Sequence, residues 1–198
     1  MAQREGPADL NDGPAREQRC CPVLLLDVDG VIAPFGNRPD DGDRCGEVRG
    51  GQLQGPVWYC LDVTQRLAAW HHAGLVQLRW LTTWLDDAND VLAGELGFGQ
   101  LLVHVHPSPD PEPEMWWKEA VVRDLLTDPH RLVVWCDDQM LRQDPQTGVD
   151  QHRGEILAAE FQHRFLPICP DPTAGLQVEH LDEISDFLAR ALACSAHE

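Results

Sequence analysis

Four short stretches of the sequence combine residue types and spacing that can do chemistry. The first is Asp27-Val28-Asp29-Gly30, directly after the apolar run Val23-Leu24-Leu25-Leu26. Two carboxylates at this spacing, aimed by a turn at a strand end, can hold a hard cation through oxygen. One can also attack phosphorus while its neighbour moves a proton. The same residues suit an Asx-type turn that closes a strand, with Gly30 for backbone freedom. The second stretch is Trp80-Leu81-Thr82-Thr83-Trp84, whose Thr82 hydroxyl can donate to a phosphate oxygen or cap a helix. The third is Lys118, near a helix start, where an ammonium and the helix N-terminus together can neutralise a carboxylate and an incoming phosphate. Most lysines are solvated surface residues, but Lys118 is the only lysine in a chain whose other fourteen basic residues are arginines. The fourth is Asp137-Asp138, after Leu132-Val133-Val134-Trp135-Cys136. Adjacent acids repel, so burying them at a strand end calls for a cation or a lysine nearby. A helix cap is the plainer use of the pair.

Such residues need elements that deliver them to one place. Val23–Leu26 reads as a strand buried on both faces. Helix 62–73, stopped by Gly74, leads into a second strand, Val76–Leu81, and a helix from about Leu85 to Leu96. Leu101–His106 is a third strand, and the Pro-rich acidic loop 107–114 precedes a helix over 116–126. Leu132–Trp135 is the fourth strand, 153–163 a helix, Phe165–Cys169 the fifth strand, and 178–193 the closing helix. Strands alternating with helices predict an α/β fold, a three-layer sandwich around a five-stranded parallel Rossmann-like sheet. In such sheets ligands sit at the carboxyl ends of the strands, and all four stretches fall at strand ends or helix starts. Residues 1–19 read as a disordered tail and 20–198 as a single domain. Within it, residues 33–60 form a Gly/Pro-rich flap or loop insertion.

The bulk composition narrows the function classes. Net charge is −18, from 15 basic and 33 acidic residues. That weighs against long nucleic acids or anionic membranes as partners, although a local basic pocket stays compatible with it. No apolar stretch approaches the roughly 20 residues of a membrane span, and the N-terminus lacks a secretory pattern. Seven irregularly spaced cysteines with no CxxC pair speak for reduced thiols in a cytoplasmic protein, against a disulfide framework or zinc site. Trp116-Trp117 can stack on a substrate but reads better as packing. His71-His72 fits a helix C-terminus, where positive charge is favoured.

The order DxDG, Thr, Lys, Asp-Asp, each at the edge of a successive βα unit, resembles the four motifs of the haloacid dehalogenase (HAD) superfamily over about residues 22–190. More narrowly, Leu-Leu-Leu-Asp-Val-Asp-Gly-Val-Ile, Trp-Leu-Thr-Thr-Trp with Asp87-Ala88-Asn89, and Trp-Lys before the last acidic motif are similar to short bacterial HAD proteins and to HAD domains of predicted RNA-repair proteins. The tail Asp171-Pro172-Thr173-Ala174-Gly175-Leu176, with Val178, His180 and Leu181, fits the same group. The resemblance implies a Mg²⁺-dependent phosphatase, hydrolysing a phosphomonoester through an aspartyl-phosphate. In it Asp27 is the nucleophile, and Asp29 the acid and base, its backbone carbonyl also a metal ligand. Thr82 binds a phosphate oxygen and Lys118 offsets charge around Asp27. Asp138 is the expected direct ligand of the metal, with Asp137 second. Asp29 favours phosphate chemistry over dehalogenation. With only Val31 to Gly74 between the first two motifs, a flap fits but a large cap domain does not. The phosphorylated substrate stays unidentified. Two rival readings are a nucleic-acid end-processing phosphatase and a catalytically inactive HAD-like binding module.

Overall fold

The computed structural model describes residues 21–36, 45–49, 56–105, 116–143 and 150–195. In chain order these form β1 (Val23–Leu26), β2 (Cys45–Val48), β3 (Val57–Cys60), α1 (Leu61–His72), β4 (Gln77–Trp80), a π-helical segment (Ala88–Ala93) and β5 (Leu102–Val103). They continue with α2 (Trp117–Leu126), β6 (Val133–Cys136), β7 (Leu141–Gln143), β8 (Asp150–His152), α3 (Arg153–Phe161), a 3₁₀ turn (Gln162–Arg164), β9 (Phe165–Ile168) and α4 (Val178–Ser195).

Five strands make the main sheet, in the order β5-β4-β1-β6-β9. Every pairing in it is parallel. A parallel pair needs a crossover, and α1, α2 and α3 lie in those connections. β1 sits in the middle because its residues are apolar on both faces: Val23, Leu24, Leu25 and Leu26 have no exposed surface. Full burial of each such side chain contributes about 1.5–3 kcal/mol.

Strand alternation divides the core in two. Leu24, Leu26, Val134 and Cys136 face a cluster with Val63 and Leu67 of α1, Ala88 and Leu92 of the π segment, and Leu181, Ile184 and Phe187 of α4. Val23, Leu25, Val133 and Trp135 face Val121, Val122 and Leu126 of α2 and Leu157 of α3. The result is the expected three-layer α/β sandwich.

Four details differ from the sequence expectations. The stretch 33–60 contributes an antiparallel pair, β2 with β3, whose Val48 and Tyr59 are buried in the first cluster. Residues 37–44 and 50–55 of that stretch lie outside the described residues, as do the tail 1–19, His106 and the loop 107–114. A second antiparallel pair, β7 with β8, follows the Asp-Asp pair and was not expected. The helix expected over 85–96 is π-helical only over Ala88–Ala93. Asp, Asn and Val are weak α-formers, and Asn89 is pinned there by its side chain: Oδ1 accepts from the Trp80 indole (3.1 Å) and Leu101 N–H (3.0 Å), and Nδ2 donates to the Leu101 carbonyl (2.8 Å). The wider π turn accommodates that fixed point. Finally, among the described residues of the expected third strand only Leu102 and Val103 pair with β4. Among the described residues no helix is long and apolar enough to cross a membrane.

Candidate active site

The sheet order places β1 between β4, which comes next along the main sheet's chain path, and β6, reached by crossing back. In open α/β sheets such a reversal is where ligands bind, at the carboxyl ends of the strands, here β1, β4 and β6. Asp27, Thr82 and Asp137-Asp138 stand at those three ends.

Strand parity then aims the acids. Val23 and Leu25 point to the α2 side, as do Val133 and Trp135. Continuing the period of two sends Asp27 and Asp137 to the same side. The backbone is still in the ladder there: Asp27 N–H donates to the Cys136 carbonyl (3.1 Å) and Asp137 N–H to the Ile168 carbonyl (3.1 Å). The first turn of α2 delivers Lys118 into this layer, where it is 2% exposed. Its ammonium bridges the two acids, donating to Asp27 Oδ2 and, at 2.6 Å, to Asp137 Oδ2. Asp27 Oδ1 also accepts from the Val28 N–H (2.7 Å), and Asp137 Oδ1 from the Gln139 N–H (2.8 Å).

Asp138 completes the acidic group. One carboxylate oxygen from each of Asp27, Asp137 and Asp138 lies within 4.8 Å of the others. Asp138 Oδ1 is buried and has no hydrogen-bond partner among the described residues. When all three acids are ionised, Lys118 balances one of three negative charges and leaves two. Carboxylate oxygens, one of them orphaned, with a deficit of two charges suit a hard divalent cation. The titration behaviour follows from the same imbalance. Burial works against the Lys118 charge, but Asp137 and Asp27 outweigh it and raise the ammonium above the ordinary lysine value. Burial pushes the Asp137 carboxyl up to about 7, opposed by Lys118 and aided by the Asp27 charge. Burial, then the charge of Asp27, also raises Asp138.

The turn after β1 is built around Gly30, at φ +71°. A Cβ there would stand 2.6 Å from Cγ of Asp138, so glycine is required by both backbone and space. Gly30 N–H donates to the Ala33 carbonyl (2.8 Å), and the N–H groups of Val31, Ile32 and Ala33 all donate to the Val28 carbonyl. The Asp171–Leu176 segment braces this turn through Leu176 N–H on the Val31 carbonyl (2.8 Å).

Of the sequence-predicted residues, Asp27, Lys118, Asp137 and Asp138 converge directly. Asp29 and Thr82 join through Trp84, whose part in the site the sequence does not signal. Thr82 is fully buried, and its hydroxyl accepts from the Trp84 N–H (3.3 Å). The Trp84 indole in turn donates to Asp29 Oδ2 (2.9 Å). The Asp29 carboxylate is thus turned to Trp84 and is not part of the acidic group of three. Leu85, next in the chain, has φ +51°, a left-handed conformation that costs a side-chain-bearing residue about 1–2 kcal/mol. No local pattern signals the contact of Trp84 with Asp29, which spans 55 residues. Trp116 packs against Trp135, ring centroids 5.4 Å apart, with Lys118 and Arg153 near its ring. His71 and His72 are engaged with backbone groups of Val76, Leu78 and Gly97.

No family model matches the chain, and no curated protein matches it. Among solved structures, a hypothetical protein from Xanthomonas campestris is similar at 18% identity over 84% of this chain and 74% of that one, with a TM-score of 0.37.

Proposed function

We propose that the chain is a HAD-type phosphatase that hydrolyses a phosphomonoester through an aspartyl-phosphate on Asp27. One observation supports this reading above the others: a buried lysine held between Asp27 and Asp137 at the carboxyl ends of adjacent parallel strands. A helix cap or a surface lysine needs no such arrangement. Electrostatic preorganisation of this kind is the main resource of phosphoryl transfer.

In the first step an Asp27 oxygen attacks phosphorus, forming the O–P bond to Asp27. The bond from phosphorus to the leaving oxygen breaks, and a proton held by Asp29 passes to that oxygen. In the second step Asp29 takes a proton from water, whose oxygen attacks phosphorus and releases Asp27 as carboxylate. Lys118 offsets the charge of Asp27 in the free enzyme and stays beside the phosphoryl group in both steps. Thr82 is the candidate donor to a phosphoryl oxygen. Asp27, Asp137 and Asp138, with the Asp29 carbonyl, would hold Mg²⁺. When bound, this ion supplies positive charge that offsets the phosphate and aligns it with Asp27. A reduced, cytoplasmic setting belongs to the same reading.

The test is hydrolysis of a panel of phosphate monoesters by the purified chain, with Mg²⁺ and with EDTA. The reading expects turnover that chelation abolishes and Mg²⁺ restores. A chain that binds phosphate esters without turning over any of them would instead be a binding module.

A further inference from the structure

The Trp84 indole N–H donates to Asp29 Oδ2, and the bond spans 55 residues of sequence. Three local features hold the indole in place. Trp84 N–H is tied to the Thr82 hydroxyl, the ring packs against the larger core cluster, and Leu85 turns the chain through a left-handed conformation immediately afterwards. A strained backbone beside a site residue persists only where the surroundings over-determine it.

We infer that Trp84 is a positioning residue for the proton transfer by Asp29, fixing the carboxyl so that Oδ2 is occupied and Oδ1 carries the proton to the leaving oxygen. The chemistry of the indole suits this task. It donates and cannot accept, so it cannot take the proton that Asp29 must deliver. It is uncharged, so it adds nothing to the charge balance set by Lys118 and the acids. A donor on Oδ2 leaves that oxygen's lone pair engaged and directs the carboxyl proton to Oδ1. The same arrangement serves the second step, when Oδ1 receives the proton of water. This inference rests on the phosphatase reading, for it assigns a partner to the acid of that reaction.

General acid help matters most when the leaving oxygen is basic. An alkyl phosphate such as phosphoserine needs the proton, whereas p-nitrophenyl phosphate departs well without it. The experiment compares the single-turnover rate of the first step, release of serine or of p-nitrophenol as Asp27 is phosphorylated, in the parent, Trp84→Phe and Asp29→Asn, with Mg²⁺ present. A fourth protein carries benzothienylalanine at position 84, introduced by nonsense suppression. It keeps the ring shape and replaces N–H by sulfur, so it reads out the donor even if Trp84→Phe does not fold. The expected result is a first-step rate on phosphoserine lowered about 10–10²-fold in both Trp84 variants. Their first-step rate on p-nitrophenyl phosphate should stay within about 3-fold of the parent, with Asp29→Asn showing the same selectivity more strongly. Equal losses on both esters, or no loss on either, would overturn the role of Trp84 while leaving the phosphatase reading intact. A parent that turns over neither these two esters nor any other ester of the panel would overturn the reading and the inference with it.

Discussion

At the scale of single residues, one cation serves three acids. Lys118 gains from every neighbour, while Asp137, the most buried acid, does not recover in full what it loses by leaving water. This explains why the ammonium and the carboxyl are both raised. Lys118→Met removes the charge from a site where Asp27 and Asp137 are 5% and 0% exposed. It should lower kcat by about 10²–10³-fold, measured at saturating substrate. Lys118→Arg should rescue only in part, because a planar fork does not replace a point charge. The raised Asp137 gives a pH prediction. A carboxyl raised in the folded state keeps its proton to higher pH than in the unfolded chain. Its contribution to metal-free stability therefore falls as pH climbs from the ordinary carboxylate range through about 7. A cation that needs the ionised form binds better on the alkaline side of that window. Mg²⁺ at about 100 times its dissociation constant adds about 2.7 kcal/mol, which at this chain length is several degrees of Tm. Thermal unfolding with Mg²⁺ and with EDTA should show a larger Mg²⁺ shift at pH 8 than at pH 5.5. Equal shifts would count against these acids as ligands.

At the scale of elements, the turn after β1 is the most constrained piece of the site. Gly30→Ala must place a methyl against the Asp138 carboxyl at φ +71°. Its expected cost is about 1–3 kcal/mol, seen as a Tm several degrees lower, together with weakened Mg²⁺ binding because Asp138 has to move. Asp27, Thr82, Lys118 and the Asp-Asp pair were legible in the sequence because strong local signals bracket them. An apolar run ends at each acidic motif, and a helix start carries the lone lysine. The parallel sheet was legible for the same reason, since β1 and β6 are apolar on both faces. Other parts were not. β7 reads Leu-Arg-Gln and β8 Asp-Gln-His, too short and polar to show alternation. The π segment depends on Asn89 meeting Leu101 and Trp80, and the hold on Asp29 depends on Trp84 reaching across from β4. Both are tertiary contacts that no local pattern encodes.

At the scale of the whole molecule, the proposed function sets a chain of net charge −18 against an anionic ester. The long-range field opposes the substrate, and attraction is confined to the pocket of Lys118 and the proposed cation. Salt screens the long-range part over about 8–10 Å at physiological ionic strength. For an oligonucleotide bearing a terminal phosphate, kcat/KM should therefore rise as salt increases from low to physiological concentration. A fall with salt, as in proteins that capture nucleic acid by its backbone, would point to a basic track and favour the end-processing reading. The central claim is that Asp27 is the group that accepts phosphate. Rapid acid quench of the parent with a substrate from the ester panel, followed by peptide mapping, tests it most directly. The account predicts a hydroxylamine-labile phosphate on Asp27, absent from Asp27→Asn along with turnover. Steady-state hydrolysis with no label on Asp27, or near-normal turnover by Asp27→Asn after deamidation has been checked, would contradict it.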